Sequence, residues 1–227
     1  MTTLVRKTSF LAVCGLVIAG VAVAGVPSAI NSSIGSGVLL TARTTAGAPS
    51  EGTPFVTKTI TVRDGSNALV VGSNVVINFG TCHQNGIKLD NFPGSAAIGI
   101  VNCAQHAVYA LTNGSGVATF KIVGGDQEGA GPYLSTSAPC ATVVADGQLL
   151  GNLIVGTLDM DNANGIIASD VAAWSSDRNV AIGTGVNRQR SDYDGNGVVN
   201  AADVSIWSAA RNFAIANGSQ STAACAP

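Results

Sequence analysis

DYDGNGVVNAAD, residues 192–203, spaces oxygen-bearing side chains more regularly than an ordinary turn does. With Asp192 as position 1, Asp194 and Asn196 fall at 3 and 5, Gly197 at 6, Val198 at 7, Asn200 at 9 and Asp203 at 12. Side-chain oxygens at 1, 3 and 5 are followed by a backbone carbonyl at 7 and a ligand acting through water at 9. A carboxylate at 12 closes the shell. This spacing suits Ca2+, a hard cation that takes about six to eight oxygens. Gly197 meets the positive φ that the sharp turn demands. An Asx-rich surface turn explains the composition, but not oxygens at every second position around a glycine.

The loop has an upstream counterpart. Asp159, Asp161, Asp170 and Trp174 lie 33 positions before Asp192, Asp194, Asp203 and Trp207. The middle is out of step: Asn164-Gly165 precedes Asn196-Gly197 by 32. The first copy therefore has one extra residue before its glycine and one fewer after it, and its position 9 ligand is lost. Two Ca2+ sites are expected, the first from Asp159, Asp161, Asn164 and Asp170, and the second stronger.

Each loop runs into a helical pattern. Val204, Trp207, Ala210 and Phe213-Ala214 recur at steps of three and four; Val171 and Trp174 begin a shorter helix that ends near Asp177 to Asn179. The tryptophans are expected in the core, because so small a module needs every large apolar group it has.

Duplicated EF-hand-type loop–helix units with Asp at position 12, as in DYDGNGVVNAADV, resemble a type I dockerin over residues 158–214. The resemblance implies a small α-helical calcium-binding module that docks onto a cohesin domain through a hydroxyl pair at loop positions 10 and 11. Here those positions hold Ala201 and Ala202, and Ala168 and Ser169 in the first copy. That departure speaks against cohesin binding and leaves calcium binding untouched.

The chain before the loops reads differently. Arg6 and Lys7 precede an apolar run, Phe10 to Val26, that ends in small residues. This is the pattern of a secretory signal peptide at 1–25. A lead or linker rich in Ser, Gly, Thr and Ala covers 26–54, with an exposed apolar stretch at Val38 to Thr41 expected to pair as an edge strand, in its own domain in preference to a neighbour. From Phe55 to Leu158, short alternating runs are separated by Gly, Asn and Asp turns. His106 to Leu111 and Val117 to Val123 flank Asn113-Gly114; Cys140 to Ala145 and Leu149 to Leu158 flank Asp146-Gly147. Both predict hairpins. Gly124 to Ala138 reads as a loop. About seven such strands without helical period predict a β-sandwich.

TVRDGSNALVVGSNVVINF (61–79), YALTNGSGVATFKIVGG (109–125) and CATVVADGQLLGNLIV (140–155) follow the order of a bacterial Ig-like domain of the invasin type, which they resemble over 55–158. The resemblance implies a spacer, stalk or adhesive module. The fold class expected is thus mainly β: an Ig-like β-sandwich at 55–158, then a dockerin-like module and tail at 159–227.

Cys82, Cys103, Cys140 and Cys225 remain after the leader. An even number in an exported chain implies disulfides. Of the three connectivities, the local one, Cys82–Cys103 with Cys140–Cys225, is favoured. Zinc at the cysteines with His83 and His106 is the less favoured alternative.

A net charge of −2 gives no footprint for nucleic acid. Seven of the thirteen acids (Asp159, Asp161, Asp170, Asp177, Asp192, Asp194, Asp203) follow residue 158, which supports a metal function there. Two histidines provide no nucleophile–base pair. The acids elsewhere (Glu51, Asp64, Asp90, Asp126, Glu128, Asp146) are expected at turns, in water. No enzyme is expected. The expectation is a secreted, calcium-binding structural protein, a subunit of an extracellular surface assembly or filament, with copies of itself or a surface scaffold protein as partner and no membrane in its mature form. The alternative is a docking protein for a cohesin-like receptor.

Overall fold

A computed structural model describes residues 25–83, 86–90, 99–126, 139–178, 189–220 and Cys225. Apart from Gly25, the expected leader lies outside these residues. In chain order the strands are β1 (Gly37–Leu40), β2 (Thr57–Thr61), β3 (Asn74–Asn78), β4 (Ile87–Leu89), β5 (Ile100–Asn102), β6 (Ala107–Leu111), β7 (Val117–Lys121), β8 (Gly124–Asp126), β9 (Ala141–Ala145) and β10 (Gln148–Thr157). The α-helices are α1 (Gly80–His83), α2 (Ala168–Arg178) and α3 (Ala201–Asn217). The described chain is mainly β. No helix of the described residues is long and apolar enough to cross a membrane.

One sheet has the order β1-β10-β9-β3-β6-β5; β2 pairs with β7 and β4 with β8. All three share a core that includes Ile60, Val75, Ile77, Ile87, Leu89, Phe120, Val143 and Leu153. β3 shows the reason in miniature, burying Val75 and Ile77 while Asn74 faces out, the period-2 pattern of a strand with one apolar face.

The β9–β10 hairpin forms as its turn predicts: Asp146 and Gly147 both take positive φ, 45° and 82°, which suits a tight two-residue connection. The other expected hairpin does not form. The Asn113 to Gly116 turn closes, with Asn113 N–H on the Val117 carbonyl at 2.9 Å. Beyond it the strands part: β6 pairs with β3 and β5, and β7 pairs with β2. The turn thus joins two sheets. Both β6 and β7 have an apolar face to bury, and each finds a longer-range partner that buries it.

The Gly124 to Ala138 loop reading is also corrected at its start. Gly124–Asp126 pairs as β8 with β4, fully buried. A side chain at Gly124 would put its Cβ 2.5 Å from the Lys88 carbonyl, so the close pairing requires glycine there. Residues 127–138 lie outside those described.

The stretch Val38 to Thr41 pairs at a sheet edge, as expected, but is buried and not exposed, none of the four residues being more than 4% exposed. β1 is the outermost strand of the large sheet and pairs in parallel with β10, Gly37 opposite Ile154 and Leu40 opposite Thr157. Its alternate side chains enter two cores. Val38 and Leu40 join the sheet core, whereas Leu39, with Ala42, joins a second cluster containing Leu158, Met160, Ile166, Trp174, Tyr193, Ile206 and Trp207. Both tryptophans are core residues, 4% exposed, as expected.

The disulfides are Cys82–Cys140 and Cys103–Cys225, with Cα separations of 5.2 and 5.1 Å, in place of the local pairing. β3 and β9 are antiparallel neighbours with Asn78 opposite Thr142, so the chain leaving β3 meets the chain entering β9 at Cys82 and Cys140. The tail reaches the sheet through the Cys225 N–H on the Leu89 carbonyl, 2.7 Å. With all four cysteines oxidised, the zinc alternative loses its thiolates. Non-reducing digestion and mass spectrometry should recover 82–140 and 103–225 linked peptides; a linked 82–103 peptide would overturn this pairing.

Candidate metal centre

The second loop is shaped by its own carboxylates. Asp192 accepts the Asn196 and Gly197 amides at 3.0 and 2.7 Å, wrapping the loop around it. Gly195 and Gly197 permit this with φ of 68° and 88°. Asp203 opens α3 and accepts the Asn200 amide at 2.7 Å as half of a capping box, while its other oxygen accepts the Tyr193 amide at 2.8 Å. One carboxylate thereby clasps both ends of the loop. Carboxylate oxygens of Asp192, Asp194 and Asp203 come within 4.8 Å of one another.

The neighbouring amides have local duties. Asn196 donates to Asp194 at 2.8 Å and accepts the Val198 amide. Asn200 is the N-cap of α3: its oxygen accepts the Ala202 amide, and its nitrogen reaches the Val198 carbonyl at 3.3 Å. Asn200 therefore caps the helix from the loop position that the spacing assigns to the ion.

The first loop repeats the clasp 33 residues earlier. Asp170 accepts the Met160 and Ile167 amides at 2.6 and 2.7 Å, the counterparts of Tyr193 and Asn200. Carboxylate oxygens of Asp159, Asp161 and Asp170 again lie within 4.8 Å of one another. The extra residue is absorbed by left-handed backbone at Asn162, Asn164 and Gly165, with φ of 50°, 62° and 75°. Asn164 is exposed. Position 9 is Ile167, without a side-chain oxygen. Ser219 packs against Gly165 and accepts the Ile166 amide at 2.8 Å, so the tail braces this loop.

The two loops differ at position 1. Asp159 is 0% exposed, and neither of its buried oxygens accepts a hydrogen bond of ordinary geometry. Burial, then the charges of Asp170 and Asp161, push its carboxyl up to about 8, against a smaller lowering by the Ala163 and Asn162 amides. Burial pushes Asp170 up to about 7, and Asp192 to about 6. Asp203 is raised too, by burial first. Crowded, buried carboxylates are costly to ionise unless a cation lies among them. Both donor sets are all oxygen, which suits Ca2+ or Mg2+ and not a thiolate-seeking metal. On the orphaned Asp159 carboxylate and this chemistry, the residues fit a hard divalent ion.

An ion network beside the loops carries no motif signal. Arg190, buried, holds Asp177 of α2 with two nitrogens at 2.7 and 3.1 Å, and Asp126 of β8 with a third at 2.7 Å. Ser191 also donates to Asp177 at 2.6 Å. Asp90, 2% exposed, lies 3.7 Å from Arg43. Asp90 and Asp126 are therefore buried ion-pair partners, in place of the solvated turn residues expected. Helix period offered one clue: Asp177 falls seven residues after Asp170, on the face that buries Ala173 and Trp174. Nothing in the sequence marked Arg190. Arg178 and Arg211 cover the Trp174 and Trp207 rings at 5.6 Å, a further element repeated at 33 residues.

No family model, characterised protein or solved structure matches the chain.

Proposed function

We propose that this is a secreted, non-enzymatic structural protein that binds one Ca2+ in each acidic loop, and that it is a subunit of an extracellular surface assembly or filament. The observation that carries the calcium reading is Asp159, a carboxylate with no exposure whose oxygens accept no hydrogen bond of ordinary geometry, inside a triad that recurs 33 residues on. Asp159, Asp161 and Asp170 would hold the first ion; Asp192, Asp194 and Asp203 would hold the second, with Asn196 and the Val198 carbonyl at hand. The ion would supply structure, not reaction chemistry: it offsets like charge and joins each loop to its helix. Two disulfides favour an oxidising, extracellular setting. Assembly is favoured by low charge, 11% of residues, and by exposed apolar side chains such as Ile30, Ile100 and Leu111, at 96%, 76% and 67%.

The docking alternative draws on the start of each helix. Ala168, Ser169, Ala201 and Ala202 are all exposed, as recognition positions must be. Yet three lack a hydroxyl, and Ser169 gives its own to Asp161 at 2.7 Å.

Titration calorimetry should find two calcium ions per chain, and one in either Asp159→Ala or Asp192→Ala. Unchanged stoichiometry in both variants would refute the site assignment. Negative-stain images with calcium and with chelator test the assembly: fibres or sheets dependent on calcium are expected, and a monomer that captures a cohesin-like domain would favour docking.

A further inference from the structure

Where the lead leaves β2 to join β10, it opens a cleft of about 460 Å³ between residues 33–37 and 54–59. Ser33 and Thr61 exchange both backbone hydrogen bonds at 2.9 Å, across the edge of β2 that faces away from β7. Backbone groups alternate along a strand, so Thr59 presents its N–H and C=O to that same edge. There the lead has diverged, and among the described residues no strand covers Thr59, which lines the cleft.

Lys58 forms the inner wall. It is 9% exposed, and its ammonium donates to the Gly37 carbonyl at 2.5 Å. Among the described residues no carboxylate lies in salt-bridge range of it. An ammonium has three donors, and a buried cation without a counter-ion is costly. Burial accordingly pushes Lys58 down to about 8. Gly35 keeps the approach open: a Cβ there would stand 3.1 Å from the ammonium. Ile34 and the half-exposed Phe55 give the cleft apolar lining, and Asp194 lines it too.

We propose that this cleft binds an extended peptide carrying a carboxylate, which adds to the open edge of β2 at Thr59 and sets its acid on Lys58. The backbone supplies affinity and the lysine supplies selectivity for the acid, the usual division of labour in strand addition. A cation held by Asp194 would lessen the repulsion that this residue exerts on the incoming acid, so calcium tightens binding without creating it.

The test uses the full mature chain and two fluorescein-labelled peptides, acetyl-Thr-Val-Glu-Val-Thr-amide and the same peptide with Gln for Glu, by fluorescence anisotropy. The Glu peptide should bind at least about tenfold more tightly, the loss expected for one charge-assisted hydrogen bond. Lys58→Met should abolish that preference. Thr59→Pro should weaken both peptides about tenfold, since it removes an edge N–H and leaves the β7 ladder whole. Circular dichroism should match wild type in both variants. The ranking should hold in calcium and in chelator, so the outcome is separate from the calcium reading. Equal binding of the two peptides by wild type, or binding of neither, overturns the proposal.

Discussion

Calcium should raise the melting temperature of the chelator-treated protein by about 10 °C at pH 8 and by far less at pH 5. An ion at about a thousandfold its dissociation constant adds about 4 kcal/mol, and each kcal/mol moves a chain of this size by about 2–4 °C. The pH dependence follows from the raised carboxyls. In the folded, metal-free chain Asp159 titrates at about 8, Asp170 at about 7 and Asp192 at about 6, against 3.8 unfolded. The folded state then holds protons that the unfolded chain has released. Their stabilisation is full below about pH 4 and is lost as pH climbs through 6 to 8. Calcium would bind the ionised carboxylates, so its effect should grow over the window in which the metal-free protein weakens. Asp159→Asn should flatten the slope measured in chelator. A single calorimetric transition is expected, because Leu39, the Arg190–Asp126 pair and the Cys103–Cys225 bridge each join the loops to the sheets. A melting temperature indifferent to calcium at pH 8 would exclude the metal sites.

Arg190→Met should destabilise the protein by about 3–5 kcal/mol, read as a fall of about 10 °C. Methionine fills much of the volume, but Asp126 and Asp177, both 0% exposed, lose the guanidinium that faces them. Breaking such a pair from one side is far worse than removing it whole. Arg190→Met/Asp126→Asn/Asp177→Asn should recover most of the loss. If the single variant melts within about 2 °C of wild type, the network is without structural weight.

The legibility of the chain followed the range of its interactions. The acidic clasps were visible because loop spacing is local: positions 1, 3 and 12 of each copy converge as their intervals dictate. Asn200 also caps α3, a role that sequence does not separate from that of a loop ligand, since one Asn serves equally as either. The Asn113-Gly114 turn was read correctly, but the fate of its flanking strands was set by β2 and β3, well upstream in the chain. The local cysteine pairing failed for the same reason, as did the expected exposure of the Val38 stretch. β1 owes its burial to β10, more than a hundred residues away, and Cys82 meets Cys140 only because β3 and β9 are neighbours. Arg190 carried no periodic or motif signal, since its partners lie on β8 and α2.

The Cys103–Cys225 bridge, spanning 122 residues, also sets a path for force. Tension applied between the lead and the chain beyond Cys225 travels along the backbone to Cys103 and there crosses through sulfur. The whole span between, with both acidic loops, lies outside the stretched line. Pulled by its ends, the chain would carry covalent load from the lead to Cys103, and the backbone that holds the two acidic loops would be spared it.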